Sequence, residues 1–335
     1  MTLVSVIGNG GASAYRPENS PSAFELALSQ RAQGVAISVA PTRDGRLAVI
    51  SSLDISDCTD IRRKVDFASR FGTRKVVSQT TKGWFSVDFS SGELSQLHYS
   101  EMRPRMRKAS AQISQTIHEP VAMLAETLDN IARTSKSAEV WIEFLLPSQV
   151  SEWGFDYAQL IEAEFVLLSR RVDTSRLVFV SPEKTLIRQL RQLDLGPRIF
   201  YRTAPYGYAN DESNQLKIAP RNYATELAPA GLKDLAQICD GVIVDILQVF
   251  SQTGADKTAF EILWQDTSLV AFAHAAGLQI AGAVLRAENT FRPMYLRHGV
   301  DPGGLHGWED YFDLALDRGF DAIVTDQPDL LVSRR

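Results

Sequence analysis

The chain has 335 residues, of which 44% are hydrophobic and 22% are charged, values that fit a globular protein and exclude a disordered one. Its formal net charge of −5 provides no general basic field, so nucleic acid is not the expected partner. No apolar run approaches the roughly 18 residues that a transmembrane helix needs, which leaves small-molecule chemistry as the starting hypothesis.

Short β-branched runs alternate with segments of helical spacing. We predict eight strands, at residues 4–7, 35–39, 140–145, 177–180, 199–201, 242–246, 279–285 and 322–325. We predict helices at residues 22–29, 122–133, 157–170, 183–193, 263–276 and 308–318. Eight such units favour a (β/α)8 TIM barrel, whereas an open doubly wound sheet would more often use five or six. The pattern therefore predicts one TIM-barrel domain over residues 1–335.

The region after the second strand departs from this repeat. A further strand at residues 47–50 follows the turn at Arg43-Asp44-Gly45, and an irregular insertion at about residues 54–119 comes next. The insertion carries a basic cluster, Arg103, Arg105, Arg107 and Lys108, which is expected to be a solvated loop face rather than a phosphate site. The segment at residues 205–214 is predicted to be a loop at the barrel mouth.

The active sites of TIM barrels form at the carboxyl ends of the strands. The side chains that we expect near this mouth are Asn9, Gly10, Ala36, Ser38, Ser51, Ser52, Glu143, Leu145, Ser181, Tyr201, Arg202, Asp245, Arg286 and Asp326.

Residues 6–13, followed by Arg16-Pro17-Glu18-Asn19, resemble the opening of the glycerophosphodiester phosphodiesterase family, in which Gly-His-Arg-Gly-Ala precedes Pro-Glu-Asn-Thr. Residues 42–47, 285–289 and 319–329 are similar to later parts of that family. Residues 83–94 look like its long-insertion branch. The resemblance covers nearly the whole chain, and it implies the TIM-barrel fold.

The resemblance also implies a chemistry. In this family three carboxylates hold calcium or magnesium, two histidines act as general acid and base, and an arginine and a lysine grip the phosphate. Carried over by position, the histidines correspond to Asn9 and Ser51, the phosphate-binding residues to Gly10 and Leu145, and the metal ligands to Ala36, Ser38 and Glu143.

Of these residues, only Glu143 matches its counterpart in the family. A single carboxylate does not offset the dehydration of a hard cation, and Asn and Ser do not exchange protons near neutral pH. The resemblance therefore implies that metal-dependent hydrolysis is lost. We expect no cofactor, with Ca²⁺ or Mg²⁺ as the alternative.

A rebuilt site at the mouth remains open as a hypothesis. Its candidate residues are Glu18, Glu143, Tyr201, Arg286, His298 and His306, with residues 298–306 expected to close over them. Glu143 is expected to pair with Arg286 or to serve a ligand, because an inward carboxylate is destabilising unless it is paired. Asp326 is expected to hold the closing turn.

The leading functional hypothesis is a binding or regulatory pseudoenzyme that uses the mouth pocket. The alternatives are a repurposed metal-independent enzyme acting on a phosphate- or carboxylate-bearing ligand, a residual phosphodiesterase, and a scaffold. Expected partners are a small molecule at the mouth and a protein that contacts the insertion. Two distant cysteines, Cys58 and Cys239, and a start that does not resemble a signal peptide favour the cytoplasm, unless the true start codon lies upstream.

Overall fold

The protein is represented by a computed structural model that describes residues 3–169, 172–213, 220–253 and 263–335. The strands in these ranges are β1 (Ser5–Asn9), β2 (Gly34–Pro41), β3 (Leu47–Val49), β4 (Gly72–Val76), β5 (Gln79–Gly83), β6 (Glu139–Phe144), β7 (Leu177–Ser181), β8 (Arg198–Arg202), β9 (Gly241–Val244), β10 (Phe250–Thr253), β11 (Leu263–Asp266), β12 (Gln279–Leu285) and β13 (Ala322–Thr325).

Eight of these strands pair in parallel, in the order β1-β2-β6-β7-β8-β9-β12-β13. The barrel closes where Ser5 of β1 pairs with Ala322 of β13. Strand β3 adds to the end of β2 in the antiparallel sense. The eight predicted barrel strands and the extra strand after the second are therefore confirmed. The sequence signal was clear because parallel strands are covered on both faces, which favours runs of β-branched residues.

The helices pack around this barrel or lie in its loops. They are α1 (Pro21–Ser29), α2 (Ser91–Leu94), α3 (Lys108–Thr116), α4 (Leu124–Thr134), α5 (Pro147–Glu152), α6 (Tyr157–Leu168), α7 (Lys184–Leu193), α8 (Asn210–Ser213), α9 (Tyr223–Glu226), α10 (Pro229–Leu235), α11 (Leu269–Ala275), α12 (Trp308–Leu316) and α13 (Pro328–Arg334). Helix α1 shows how the sequence sets an end: Ser20 caps it, accepting a hydrogen bond from Ala23 N, and Pro21 occupies its first turn.

The barrel interior is apolar through most of its depth. Trp141 and Phe200 meet there with ring centroids 5.1 Å apart. Smaller side chains, including Ile7, Val178 and Ile243, pack around them. This apolar core separates polar groups at the two ends of the barrel: Glu139 and Arg198 form an ion pair at the amino ends of their strands, and the candidate site lies at the carboxyl ends.

The insertion is more ordered than the sequence indicates. Strands β4 and β5 form an antiparallel hairpin, and α3 follows further along. Phe67 and Phe89 pack edge to face at 5.3 Å, while Phe85 contacts Trp153 of the helical layer at 5.6 Å. The prediction of an irregular segment is wrong here, because this small aromatic core stabilises elements whose local pattern is weak.

The helix predicted at residues 263–276 is also wrong in its first part. Strand β11 occupies Leu263–Asp266 and pairs with β10, and the helix begins only at Leu269. Strand pairing has overridden local propensity there. The loop predicted at residues 205–214 ends in helix α8, and residue 214 lies outside the described ranges. Among the described residues, no helix combines the length and apolar character that crossing a membrane requires.

Candidate active site at the barrel mouth

The register of the strands brings the motif positions together. Asn9 at the end of β1 pairs with Ala36 of β2, and Ser38 of β2 pairs with Glu143 of β6. None of these four residues is fully buried, so the mouth is open to solvent at the place where the sequence predicts the remains of a catalytic site.

Two of the predicted positions are tied together by neutral hydrogen bonds. Asn19 is buried, and its Nδ2 donates to Ser51 Oγ at 2.8 Å. Its Oδ1 accepts a longer bond, at 3.4 Å, from the backbone nitrogen of Ser38. This part of the mouth can position a neutral group, but its side chains provide neither a proton carrier near neutral pH nor a carboxylate.

Glu143 forms an ion pair, but with an unexpected partner. Arg202 Nη1 donates to Glu143 Oε2 at 2.9 Å, and their side chains are 27% and 21% exposed. The expected pairing of Glu143 with Arg286 is therefore wrong, since Arg286 turns toward Asp326 instead. Glu143 and Arg202 also line a cavity of about 210 Å³ together with Leu145, the position where the family has its lysine.

Asp326 is the centre of the charged network. Its side chain is fully buried and accepts hydrogen bonds from Asn9 Nδ2 at 2.8 Å, from Arg286 Nε at 2.7 Å and from Arg107 Nη2. Burial opposes ionisation of this carboxyl, but Arg286 and Arg107 outweigh it and hold the pKa well below its usual range. Asp326 is thus a fixed negative charge that orients groups from three parts of the chain.

Arg107 reaches this network from the insertion. Besides Asp326, it donates from Nε to Glu288 at 2.8 Å and from Nη1 to the carbonyl oxygen of Ser13 at 2.8 Å. Its side chain is only 3% exposed. The expectation that the whole basic cluster is a solvated face is therefore wrong for Arg107, although Arg105 and Lys108 are exposed. The insertion is fastened to the barrel by this buried cation.

Glu18 fills the space beside Gly10. Gly10 has a φ of +58°, and a Cβ built on it would overlap Cγ of Glu18, so a glycine here makes room for the glutamate. Arg103 Nη1 lies 3.8 Å from Glu18 Oε2. Burial, together with the nearby Asp326, raises the pKa of Glu18 to about 7 despite the arginines around it. Glu18 is therefore a mouth carboxylate whose charge can change near neutral pH.

Arg286 and Arg103 share an aromatic neighbour. Their guanidinium carbons lie 4.7 Å and 5.7 Å from the ring centroid of Phe291. In the described part of the chain, neither Nη atom of Arg286 has a hydrogen-bond acceptor, because only its Nε is used, on Asp326. Because a ring contact uses no N–H group as a hydrogen-bond donor to oxygen, the Nη groups of Arg286 can donate to a ligand at the mouth.

In the described part of the chain, three predicted pocket residues make no hydrogen bond to the charged network. Tyr201 is fully buried, and its hydroxyl donates to Glu226 Oε2 at 2.7 Å, so it belongs to the layer between strand and helices. His298 and His306 are solvent exposed. Among the described residues, neither imidazole hydrogen-bonds to Glu18, Glu143 or Arg286.

The loop containing both histidines is held by its backbone. Buried Arg292 donates to the carbonyl oxygens of His306 and Gly304. At Gly303 the loop comes close to Met106 of the insertion. The sequence predicts Arg202 at the mouth but not its pairing with Glu143, and it indicates neither the burial of Arg107 nor the central place of Asp326 in the charged network.

The residues present do not fit the divalent metal that the family resemblance implies. The positions of two expected ligands carry the methyl group of Ala36 and the hydroxyl of Ser38, while Glu143 is already paired with Arg202. Across the residues that the structure describes, no group of three or more His, Cys, Asp or Glu side chains is arranged to hold a metal ion. A hard cation would lack the anionic oxygens that it requires here.

Comparison with known proteins identifies a family that matches nearly the whole chain. Residues 10–330 match the model of the glycerophosphoryl diester phosphodiesterase family. In sequence, the chain is 25% identical over 280 residues to Protein SUPPRESSOR OF NPR1-1 CONSTITUTIVE 4 of Arabidopsis thaliana, a match that covers 82% of this chain and 22% of that protein. It is 26% identical over 98 residues to glycerophosphodiester phosphodiesterase GDPD6 of the same plant, covering 29% of this chain and 26% of the relative. The chain thus spans about a quarter or less of these curated relatives.

Solved structures show the same fold. A putative glycerophosphoryl diester phosphodiesterase from Silicibacter pomeroyi superposes with a TM-score of 0.65 at 17% identity, covering 99% of this chain and 94% of the other. A phosphodiesterase from Oleispira antarctica, solved with the product sn-glycerol-3-phosphate, gives a TM-score of 0.63 at 17% identity, covering 99% and 96%.

Proposed function

Because the chain belongs to the glycerophosphoryl diester phosphodiesterase family, we propose that it is a member that has lost metal-dependent hydrolysis and binds a small anionic molecule at the barrel mouth. The observation that carries this proposal is a set of mouth arginines whose N–H groups are not all bonded to protein oxygens within the described residues. They lie beside motif positions, such as Asn9 and Ser51, whose side chains do not exchange protons near neutral pH. The binding role rests on the arginines, and the loss of hydrolysis rests on the motif positions.

The loss of hydrolysis is supported by how the emptied positions are used. Asn9 donates to Asp326, and Ser51 accepts from Asn19. Side chains held in this way stabilise the mouth without moving protons. Phosphodiester hydrolysis needs a group that activates the nucleophile and another that protonates the leaving oxygen, and neither Asn nor Ser replaces histidine in these roles.

Anion binding is supported by the difference between the arginines. Arg107 uses all three of its donor nitrogens on protein oxygens. Arg202 donates only from Nη1 and Arg286 only from Nε, within the described residues. Their carboxylate partners fix both guanidinium groups in place, and the remaining N–H donors suit phosphate or carboxylate oxygens.

The binding test measures thermal unfolding of the purified protein, with a chelator present, as an anion is added. sn-Glycerol 3-phosphate is the first ligand to try, since the Oleispira antarctica homologue was solved with it; sulfate and acetate extend the series. Binding to the folded state raises the melting temperature with ligand concentration. We expect Arg286→Gln to abolish this rise and the exposed Arg105→Gln to retain it. Equal responses in both variants would refute the mouth as the binding site.

The hydrolysis test incubates the protein with glycerophosphocholine or glycerophosphoethanolamine and added calcium or magnesium. We expect no release of glycerol 3-phosphate. Release that rises with metal and disappears with chelator would mean that a residual phosphodiesterase activity exists and that the residue matching is wrong.

A metal-independent enzyme is the second candidate, and Glu18 is the observation that favours it. A carboxyl with a pKa of about 7 is suited to general acid–base catalysis at neutral pH. Turnover of a phosphate- or carboxylate-bearing compound in the presence of chelator, lost in Glu18→Gln, would favour this alternative over a binding protein.

A further inference from the structure

We propose that anion binding at the mouth is coupled to protonation of Glu18, which competes with the ligand for Arg103 and Arg286. This inference rests on the proposed function and adds its regulation. The ligand class is an oxyanion, either the tetrahedral oxyanion of a phosphate ester or a carboxylate.

The positions of Glu18 and the two arginines explain why the carboxylate competes with a bound anion. Glu18 lies 3.8 Å from Arg103 and within electrostatic range of Arg286 and Arg107. Arg103 and Arg286 lie against the same ring, Phe291. An anion that contacts the guanidinium groups of both arginines must therefore approach the Glu18 carboxylate, and two anionic groups at one site repel each other.

The charge balance of the network predicts whether protonation of Glu18 strengthens or weakens anion binding. Arg107 and Arg286 are matched by Asp326 and Glu288, which leaves Arg103 facing Glu18. Protonation of Glu18 makes this network more positive by one charge, whatever the charge of the neighbouring Glu101. A protonated Glu18 therefore favours the anion, and the bound anion in turn favours the proton.

The change of charge is assigned to Glu18, although other ionisable groups lie near it. Asp326 lies beside it but stays ionised, because its pKa is held well below the usual range. Burial raises the pKa of the Cys58 thiol to about 12, so this neighbour stays neutral. Burial also raises the pKa of Asp245, which interacts with Arg202 and Arg286, and the pKa of Glu101, which interacts with Arg107 and Arg103. Asp245 and Glu101 are therefore the carboxylates to separate from Glu18 by experiment.

The experiment is isothermal titration calorimetry of the full chain with sulfate and, separately, with acetate, at roughly pH 6, 7 and 8. Both probes keep a constant charge over this range, so a change in affinity reports on the protein. With a pKa of about 7 for free Glu18, affinity should be about tenfold weaker at pH 8 than at pH 6. Titrations at pH 8 in buffers of different ionisation enthalpy should show uptake of close to one proton. The stronger of the two probes identifies the oxyanion class.

Three variants assign the proton. Glu18→Gln should bind at pH 8 about as tightly as the unmodified chain binds at pH 6, with no proton uptake, while Asp245→Asn and Glu101→Gln should each keep the tenfold change. The melting temperature of each variant, measured at pH 6, checks that it is folded. Arg103→Gln should weaken binding at pH 6, and Arg105→Gln, from the same loop, should not.

The outcomes separate the two proposals. Binding at pH 6 that does not change with pH, or a pH profile unchanged in Glu18→Gln, overturns the proton coupling and leaves the proposed function standing. A profile flattened by Asp245→Asn or Glu101→Gln instead of Glu18→Gln has the same consequence. No binding of either probe at pH 6 refutes the proposed anion site and the coupling with it.

Discussion

Arg107→Met tests whether the insertion is anchored in the barrel. The substitution keeps much of the aliphatic stem but removes the cation that Asp326 and Glu288 share. Arg286 still compensates Asp326, whereas the Glu288 carboxylate keeps, among the described residues, a single hydrogen bond from Gln327. Leaving a buried carboxylate without its cation costs on the order of 3 to 5 kcal/mol. The entropy of unfolding of a 335-residue chain is about 0.7 kcal/mol per kelvin near the midpoint, so we expect a fall in melting temperature of roughly 4 to 7 °C.

The assay is thermal unfolding followed by near-ultraviolet circular dichroism and by calorimetry. Arg105→Met is the matched control, because Arg105 lies two residues away in the same loop and is exposed; it should leave the melting temperature unchanged within error. The double variant Arg107→Met/Glu288→Gln should recover part of the loss, since it removes the orphaned charge. If Arg107→Met and Arg105→Met behave alike, Arg107 does not occupy the buried site and the anchoring argument fails.

Further predictions concern the motif positions, the ion pair and pH. Asn9→His alone should restore no hydrolysis of glycerophosphocholine, because metal ligands and proton carriers act as a unit; activity from this one change would contradict the residue matching. Glu143→Ala should change the free energy of unfolding by no more than about 1 kcal/mol, because its pair with Arg202 is partly exposed; a much larger loss in urea titrations would mean that the pair is structural. The pKa of Glu18 is raised from 4.5 to about 7, so the folded state retains a proton that the unfolded state has lost. The stability that this proton confers is complete below about pH 4.5 and is lost as pH rises through about 7, on the order of 3 kcal/mol. Glu18→Gln should lack this component when melting temperatures at pH 5 and pH 8 are compared, and an unchanged difference would count against the raised pKa.

The sequence by itself determined the barrel and, through the family resemblance, predicted which residues stand at the motif positions. Strand β2, for example, is apolar over nearly its whole length and lies between β1 and β6, so its hydrophobic run is a local signal of a buried parallel strand. The approach of Asn9 to Ala36 followed from the same signal, since carboxyl ends of parallel strands meet at one edge. These features depend on residues close together in the chain, and local pattern is enough to predict them.

Which charges meet at the mouth was decided by tertiary structure alone. Tyr201 and Arg202 are adjacent, but side chains of a strand alternate between faces, so the arginine faces the mouth while the tyrosine packs against the helical layer. Arg107 looks like part of a solvated basic loop, and its burial depends on Glu288 and Asp326, which are 181 and 219 residues away. No local periodicity encodes such a pairing. It forms because burying those carboxylates requires a cation, and only the folded chain places one within reach.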